Sequence, residues 1–275
     1  MAIEVTSWAE FLEAASGDDP TVEINLPENA EWDLGEIEPE GHDGAIKLCG
    51  IINGRGTKIK NLVVDAGSVG YVFYMQGTIY DLHFIDGVWR TSSYACIRLY
   101  GADSSAQLCT FSASVQRTGG NMYIFDTQGI GTTKTCLVYR CAFNLELSAA
   151  TGATMFSWNT IGQYNNIKIS GSRITSVTAN MVNGTQNKGK SDYSYVILDT
   201  PAVTALSFPV FNSSLLRCTG ANVTDLSNVS GNYISIACSS DFPNASQVAQ
   251  TLALCTESQL HDAAYLQSIG FPIGV

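Results

Sequence analysis

Charged residues are scarce in this 275-residue chain, at 14% of the sequence against about 25% in an average soluble domain. Basic residues are scarcer still: 14 Lys and Arg stand against 25 Asp and Glu, which leaves a formal net charge of −11. An acidic chain without a run of basic residues repels phosphate backbones, so nucleic-acid binding is not expected. No apolar run reaches the roughly 18 residues of a membrane-spanning helix, so membrane insertion is not expected either.

The N-terminus lacks the basic segment and the long apolar segment of a secretory signal peptide, which predicts synthesis in a reducing cytoplasm. Cysteines in that compartment are more often free, buried and structural than disulfide-bonded. No pair of cysteines has zinc-site spacing, so neither a metal nor another cofactor is predicted. The eight cysteines predicted to be reduced are Cys49, Cys96, Cys109, Cys136, Cys141, Cys218, Cys238 and Cys255.

Helical patterns are confined to the two ends of the chain. Ser7 and Glu10 form a capping box before an apolar helical face, and Thr256 and Gln259 form a second one. Hydrophobic residues make up 45% of the chain, which excludes disorder over its whole length. We predict an N-terminal capping helix within residues 1–20, a β-rich body over 21–240 and a helical cap over 241–275.

The body repeats a strand signature in which an apolar residue is followed three and five positions later by further apolar residues. It begins at Ile59, Ile79, Ala106, Val138, Tyr164 and Val203. Self-similarity at intervals of about 20–50 residues, with no helix inside the repeat, predicts an all-β, right-handed parallel β-helix. An antiparallel sandwich is the alternative, because it also uses short strands separated by turns. The central signature positions should form one stacked interior row of Leu62, Leu82, Cys109, Cys141, Ile167 and Leu206.

Segments at both ends of the chain resemble known proteins. The stretch from Val5 to Phe11, Ile24-Asn25-Leu26 and the stretch from Gly56 to Leu62 together resemble the start of pectate-lyase-like β-helix proteins. With the stretch from Gln259 to Pro272, they also resemble proteins of phages and prophages of Gram-positive gut bacteria. The phage resemblance implies a virion component such as a fibre, spike or appendage, often trimeric, made in the host cytoplasm.

The lyase resemblance implies that calcium-binding Asp residues and a catalytic Arg or Lys would lie on one exterior face. Asp65, Asp81, Asp86 and Asp103 lie near strand ends, with Arg90, Arg98 and Arg117 in nearby coils. No two carboxylates recur at a fixed spacing, and the Trp-x-Asp-His signature of those lyases is missing. Asp favours turns, so we interpret these residues as solvated turn residues and predict no catalytic, cofactor-binding or metal-binding residue.

These observations favour a non-enzymatic bacteriophage virion structural protein of fibre, spike, appendage or decoration type, with an adhesive role at the host surface. Other virion proteins, further copies of this chain and host-surface carbohydrate are the expected partners. Tyr80, Trp89, Tyr100 and Trp158 are candidate contact residues, although alternation alone also permits them to fill the core. A tail-spike polysaccharide lyase or glycoside hydrolase is the alternative, and a bacterial surface adhesin would need a signal peptide or an anchor.

Overall fold

The structure is a computed structural model. It describes residues 2–37, 42–67, 71–92, 95–117, 120–127, 136–156, 160–163, 165–180, 190–192, 194–200, 202, 205–207, 211–212, 215–219, 235–238, 252–260 and 262–268.

Helices lie near both ends of the chain, as predicted, and one further short helix, at residues 34–37, lies within the region predicted to be β-rich. The helices are α1 (Trp8–Ala15), α2 (Leu34–Ile37), α3 (Glu257–Leu260) and α4 (Ala263–Ser268). The Glu10 amide donates to Ser7 Oγ at 3.3 Å, and the amide of Thr6 donates to the Glu10 carboxylate at 2.7 Å. Helix α1 buries Trp8 and Phe11, so it covers the apolar interior at the N-terminal end.

The body is a parallel β-solenoid, which confirms the predicted fold class and excludes the antiparallel sandwich. Every strand pairing described is parallel and joins one coil to the next, as the pairing of β5 with β7 shows. The strands are β1 Ile3–Glu4, β2 Glu23–Asn25, β3 Glu31–Asp33, β4 His42–Asp43, β5 Ile46–Lys60, β6 Val63–Asp65, β7 Phe73–Thr91, β8 Ala95–Gln107, β9 Thr110–Arg117, β10 Asn121–Asp126, β11 Cys136–Tyr139, β12 Ala142–Ser148, β13 Gly152–Phe156, β14 Thr160–Gln163, β15 Asn166–Ser170, β16 Ser176–Asn180, β17 Lys190–Asp192, β18 Tyr195–Asp199, β19 Ala205–Ser207, β20 Phe211–Asn212, β21 Leu215–Thr219, β22 Ser235–Cys238 and β23 Leu252–Cys255.

The coils stack so that equivalent positions form ladders on four faces, numbered in the order in which a coil visits them. Face 1 contains Ile46, Phe73, Ile97, Phe125 and Phe156. Face 2 contains Ile24, Ile52, Ile79, Ala106 and Val138. Face 3 contains Trp32, Ile59, Phe84, Phe111, Phe143 and Ile167. Face 4 contains Val64, Trp89, Val115 and Leu147.

Left-handed backbone turns the chain from face 2 to face 3. Asn29, Arg55, Asp81, Leu108 and Arg140 all have φ between 51° and 55° there. This conformation is uncommon for residues other than glycine, and Asn and Asp tolerate it best. Because β5 and β7 run through such corners without ending, each serves several faces.

Aromatic rings fill the interior between faces 1 and 3. Phe111 stacks between Phe84 and Phe143, with ring centroids 5.8 Å and 5.4 Å away. Phe125 meets Phe111 and Phe143 edge to face at 6.0 Å and 5.3 Å, and it stacks on Phe156 at 6.1 Å. Offset and edge-to-face contacts of this kind stabilise aromatic pairs beyond simple burial.

The predicted interior row is correct for its middle members and wrong at its ends. Leu82, Cys109 and Cys141 occupy equivalent positions two residues before the paired phenylalanines of face 3. In contrast, Ile167 pairs with Phe143 on face 3 itself.

The other two end members lie elsewhere in the coil. The Leu62 carbonyl accepts from the Val88 amide just before face 4, and Leu206 pairs with Val177. Because each corner joins two runs of alternating apolar residues, the same signature occurs at different corners. Coil length varies as well, so sequence spacing alone misassigned the register.

The described cysteine thiols are free and buried, as predicted for Cys49, Cys96, Cys109, Cys136 and Cys141. The Cys109 and Cys141 side chains meet across neighbouring coils, as expected from their shared position in the signature. Burial, together with this neighbouring thiol, raises the pKa of Cys141 well above its usual range. The side chains of Cys218, Cys238 and Cys255 lie outside the described part of the chain.

Candidate functional site

A row of amide and aromatic side chains runs along the outside of face 2. Each member follows the inward residue of face 2 by one position, so alternation turns it outward. We call this row the amide–tyrosine ladder; it consists of Asn25, Asn53, Tyr80, Gln107, Tyr139 and Gln163, paired coil by coil. Asn25, its N-terminal member, is buried. Tyr80 is 42% exposed, which is unusual for so large an aromatic side chain.

An open cavity of about 540 Å³ adjoins the N-terminal half of the ladder. We call it the corner cavity, and it is lined by Glu28, Asn29, Asn53, Arg55, Tyr80 and Asp81. It follows the left-handed corner, because Asn29, Arg55 and Asp81 are three of the residues with positive φ. The corner thus places two carboxylates, a guanidinium, two amides and a tyrosine around one space.

Hydrogen bonds hold the polar groups at the rim of this cavity. Asn53 Nδ2 donates to Asn25 Oδ1 at 2.8 Å, and Asn25 Nδ2 donates to the Glu4 carboxylate at 2.6 Å. The same Glu4 carboxylate pairs with Arg55 at 3.3 Å. These contacts tie the N-terminal strand β1 to the cavity.

A second set of contacts orients Asp81. Asp81 Oδ1 lies 3.2 Å from His83 Nε2, and His83 Nδ1 lies 3.0 Å from Thr110 Oγ1. His83 is half-buried between the fully buried Leu82 and Phe84, so it lies on the outside of the wall, as alternation predicts. The imidazole therefore connects Asp81 to the next coil.

Three tyrosines cluster on the outside of face 1. Tyr74 lies 5.4 Å from Tyr71 and 5.2 Å from Tyr100 between ring centroids, and the Arg98 guanidinium lies 5.5 Å from the Tyr71 ring. Burial raises the pKa of Tyr74 to about 12, so its phenol stays neutral at physiological pH. This cluster lies on a different face from the ladder.

The structure separates the acidic and basic residues singled out in the sequence. Asp81 lines the corner cavity, whereas Asp65, Arg90 and Arg117 line a groove beyond face 4. Asp86 and Asp103 occupy left-handed turns, with φ of 55° and 61°.

The four candidate contact aromatics also differ from one another. Tyr80 and Tyr100 are exposed, at 42% and 38%. Trp89 is completely buried and belongs to the core. Trp158 lies outside the described residues.

Sequence reasoning missed the amides of the ladder. Asn53, Gln107 and Gln163 are isolated in the sequence and match no motif, so nothing marked them individually. Their common signal is their place one residue after the inward position of face 2. Aligning the coils by the repeated signature would have placed Tyr80, Gln107 and Tyr139 in one column.

The described residues contain neither a candidate metal site nor a candidate membrane-spanning helix. Among those residues, no group of three or more His, Cys, Asp or Glu side chains is arranged to hold a metal ion. No helix described there is long and apolar enough to cross a membrane. Comparison with known proteins finds no matching family, curated protein or solved structure.

Proposed function

We propose that this protein is a non-enzymatic structural component of a bacteriophage virion, of fibre, spike, appendage or decoration type, that adheres to host-surface carbohydrate. The amide–tyrosine ladder is the observation that carries the adhesive part of the proposal. The resemblance of the opening and closing segments, taken together, to proteins of phages and prophages supports the virion part. We expect the chain to be made in the host cytoplasm and to assemble with other virion proteins as a homo-oligomer, with a trimer as the first state to test.

The ladder presents the chemical groups that sugars need. Pyranose rings stack their C–H faces on aromatic rings, and planar amides donate to and accept from hydroxyl groups. Tyr80 and Tyr139 lie two coils apart, about 10 Å at roughly 4.8 Å per coil, with Gln107 between them. Because one coil step is comparable to the length of one sugar unit, a polysaccharide lying along the axis meets stacking and hydrogen-bonding groups in alternation.

Replacing one ladder tyrosine tests carbohydrate binding. Purified Tyr80→Ala should bind host cell-wall or capsular polysaccharide about 5- to 30-fold more weakly, since interface aromatics often contribute 1–2 kcal/mol. Tyr100→Ala is the matched control, because it also removes an exposed tyrosine but lies on face 1. Equal binding by the wild type and both variants would contradict the role of the ladder.

The virion assignment has a separate test. Mass spectrometry of purified particles, produced by the phage whose genome encodes this chain, should detect the protein in a fixed ratio to the capsid protein. Its absence from intact particles, with abundant protein in the lysate, would remove the virion part of the proposal. The tyrosine variants would still test carbohydrate binding, independently of the virion assignment.

The corner cavity favours a second candidate, a polysaccharide lyase or glycoside hydrolase. Glu28 and Asp81 line the cavity together with Arg55, and glycoside hydrolysis uses two positioned carboxylates. Reducing-sugar and unsaturated-product assays, with and without calcium, measure either reaction directly. Cleavage that is lost in Asp81→Asn and kept in Asp86→Asn, a corner residue outside the cavity, would replace the binding proposal with an enzymatic one.

A further inference from the structure

A second open space of about 500 Å³ lies beyond face 4, away from the ladder. We call it the arginine groove, and it is lined by Asp65, Gly67, Arg90, Thr91, Ser92, Gln116, Arg117, Ser148 and Ala149. Asp65 pairs with Arg90, Arg90 with Gln116, and Gln116 with Ser148, so four consecutive coils contribute to it. At about 4.8 Å per coil, the groove extends roughly 14 Å along the solenoid axis.

The groove is positively charged in a chain whose formal net charge is −11. Two guanidinium groups line it against the single carboxylate of Asp65, which accepts from the Gly67 amide at 3.0 Å. Within the described ranges, neither Arg90 nor Arg117 forms a salt bridge. Arg90 Nε donates to Gln116 Oε1 at 3.2 Å, which orients its guanidinium group across neighbouring coils.

Arg117 lines the groove, and part of its guanidinium group is buried. Its Nε and Nη1 atoms are buried and have no hydrogen-bond acceptor among the residues that the structure describes. Burial lowers the pKa of this guanidinium, although arginine stays cationic at physiological pH. Gly120 makes room for the group, since a Cβ at that position would lie 3.1 Å from Arg117 Nη2. Packing of Nε and Nη1 therefore fixes the guanidinium group beside the groove, where its positive charge favours an anionic ligand.

We propose that the arginine groove binds an acidic oligosaccharide through a carboxylate or sulfate group held by Arg117 and Arg90. Guanidinium groups recognise such planar or tetrahedral anions with paired, charge-assisted hydrogen bonds. Gln116, Ser148 and Ser92 supply amide and hydroxyl groups for the sugar on either side of the anion. The high net negative charge of the chain disfavours a longer polyanion such as a nucleic acid. This site is independent of the ladder and of whether the protein belongs to a virion.

Calorimetric titration of the full chain tests the site with defined probes. The probes are tetragalacturonate, a sulfated heparin tetrasaccharide, neutral maltotetraose and sodium sulfate. At least one acidic tetrasaccharide should bind more than tenfold more tightly than maltotetraose and than free sulfate. Its affinity should fall as salt is raised, because the groove is open to solvent.

Three variants assign the binding to the groove. Arg117→Gln and Arg90→Gln should each weaken the acidic probe about tenfold or more, as expected for the loss of a charged hydrogen-bonding group. Lys168→Gln removes the same charge from an exposed position on β15 and should change affinity less than twofold. Without ligand, Arg117→Gln should melt no lower than the wild type, because Arg117 Nε and Nη1 have no acceptor to lose among the described residues.

Several results would overturn the proposal. These are equal binding of acidic and neutral tetrasaccharides, free sulfate binding as tightly as the acidic sugars, or no binding of either acidic probe. Unchanged affinity in both arginine variants would do the same. If Arg117→Gln fails to fold, Arg90→Gln decides the matter, since Arg90 is exposed and its replacement leaves the core untouched. Failure here leaves the Tyr80 result unaffected, so the two proposals can be told apart.

Discussion

Phe111 links three neighbouring coils, so removing its ring tests how the solenoid is held together. The side chain is completely buried. It stacks on Phe84 and Phe143, and Phe125 packs against it edge to face. Phe111→Ala therefore leaves a cavity in the middle of the aromatic column and removes ring contacts to both adjacent coils.

The expected cost follows from that geometry. A buried Phe-to-Ala change costs about 3–5 kcal/mol, and each aromatic pair contributes about 0.5–1.5 kcal/mol beyond burial. These effects overlap, so we expect about 4–5 kcal/mol for Phe111→Ala. Phe111→Leu keeps most of the volume and should cost about 1–2 kcal/mol.

Guanidinium denaturation followed by circular dichroism measures the loss, and hydrogen exchange locates it. Because coils contact only their neighbours, protection should fall first in β9 and in its partners β7 and β12. Ser112→Ala, an outward neighbour on β9, should change the free energy of unfolding by less than about 0.5 kcal/mol. A Phe111→Ala protein as stable as Ser112→Ala would refute the column as a main source of stability.

Two further predictions concern the core. Gly87→Ala should destabilise the fold by about 1–3 kcal/mol, because a Cβ there would lie 2.5 Å from Nε1 of the buried Trp89. Gly17→Ala is the control and should leave the melting temperature unchanged, because a Cβ at position 17 would have no atom within 4 Å. Equal melting temperatures for the two variants would contradict the prediction. Burial raises the pKa of Cys136 to about 12 and raises that of Cys96 further, so iodoacetamide at pH 8 should label them only after unfolding. Since unfolded thiols lose their protons near pH 8.5, the free energy of unfolding should fall as pH rises from there toward 12. Rapid labelling of the native protein would contradict the burial of these thiols.

Local sequence patterns predicted the fold well, because helix capping and apolar alternation depend on residues close together in the chain. Ser7 and Glu10 marked the start of α1, and they cap it through the contacts described. The apolar signature predicted the stacking of Leu82, Cys109 and Cys141, which occupy equivalent positions in neighbouring coils. Register at other corners could not be predicted, because the number of residues between faces changes from coil to coil.

The candidate sites depend on that same register. Asp65, Arg90 and Arg117 were visible in the sequence as isolated charges, and only the coil lengths bring them to one groove. The burial of Arg117 Nε and Nη1 depends on how the neighbouring residues pack, and neither composition nor spacing predicts that packing. Tyr80 was visible as a candidate contact residue, but alternation alone did not distinguish an exposed position from a core position.

The direction of the inter-coil hydrogen bonds has a mechanical consequence. In a parallel solenoid these bonds run along the long axis, so tension along the axis pulls directly on them. Twelve residue pairs join β5 to β7, from the pairing of Ile46 with Phe73 to that of Lys60 with Ile85, and they share such a load. A later coil step divides its pairs among shorter strands: four join β13 to β16, three join β14 to β17 and five join β15 to β18. Under axial force the pairs of one coil step should therefore share the load, whether they lie on one long strand or on several short ones.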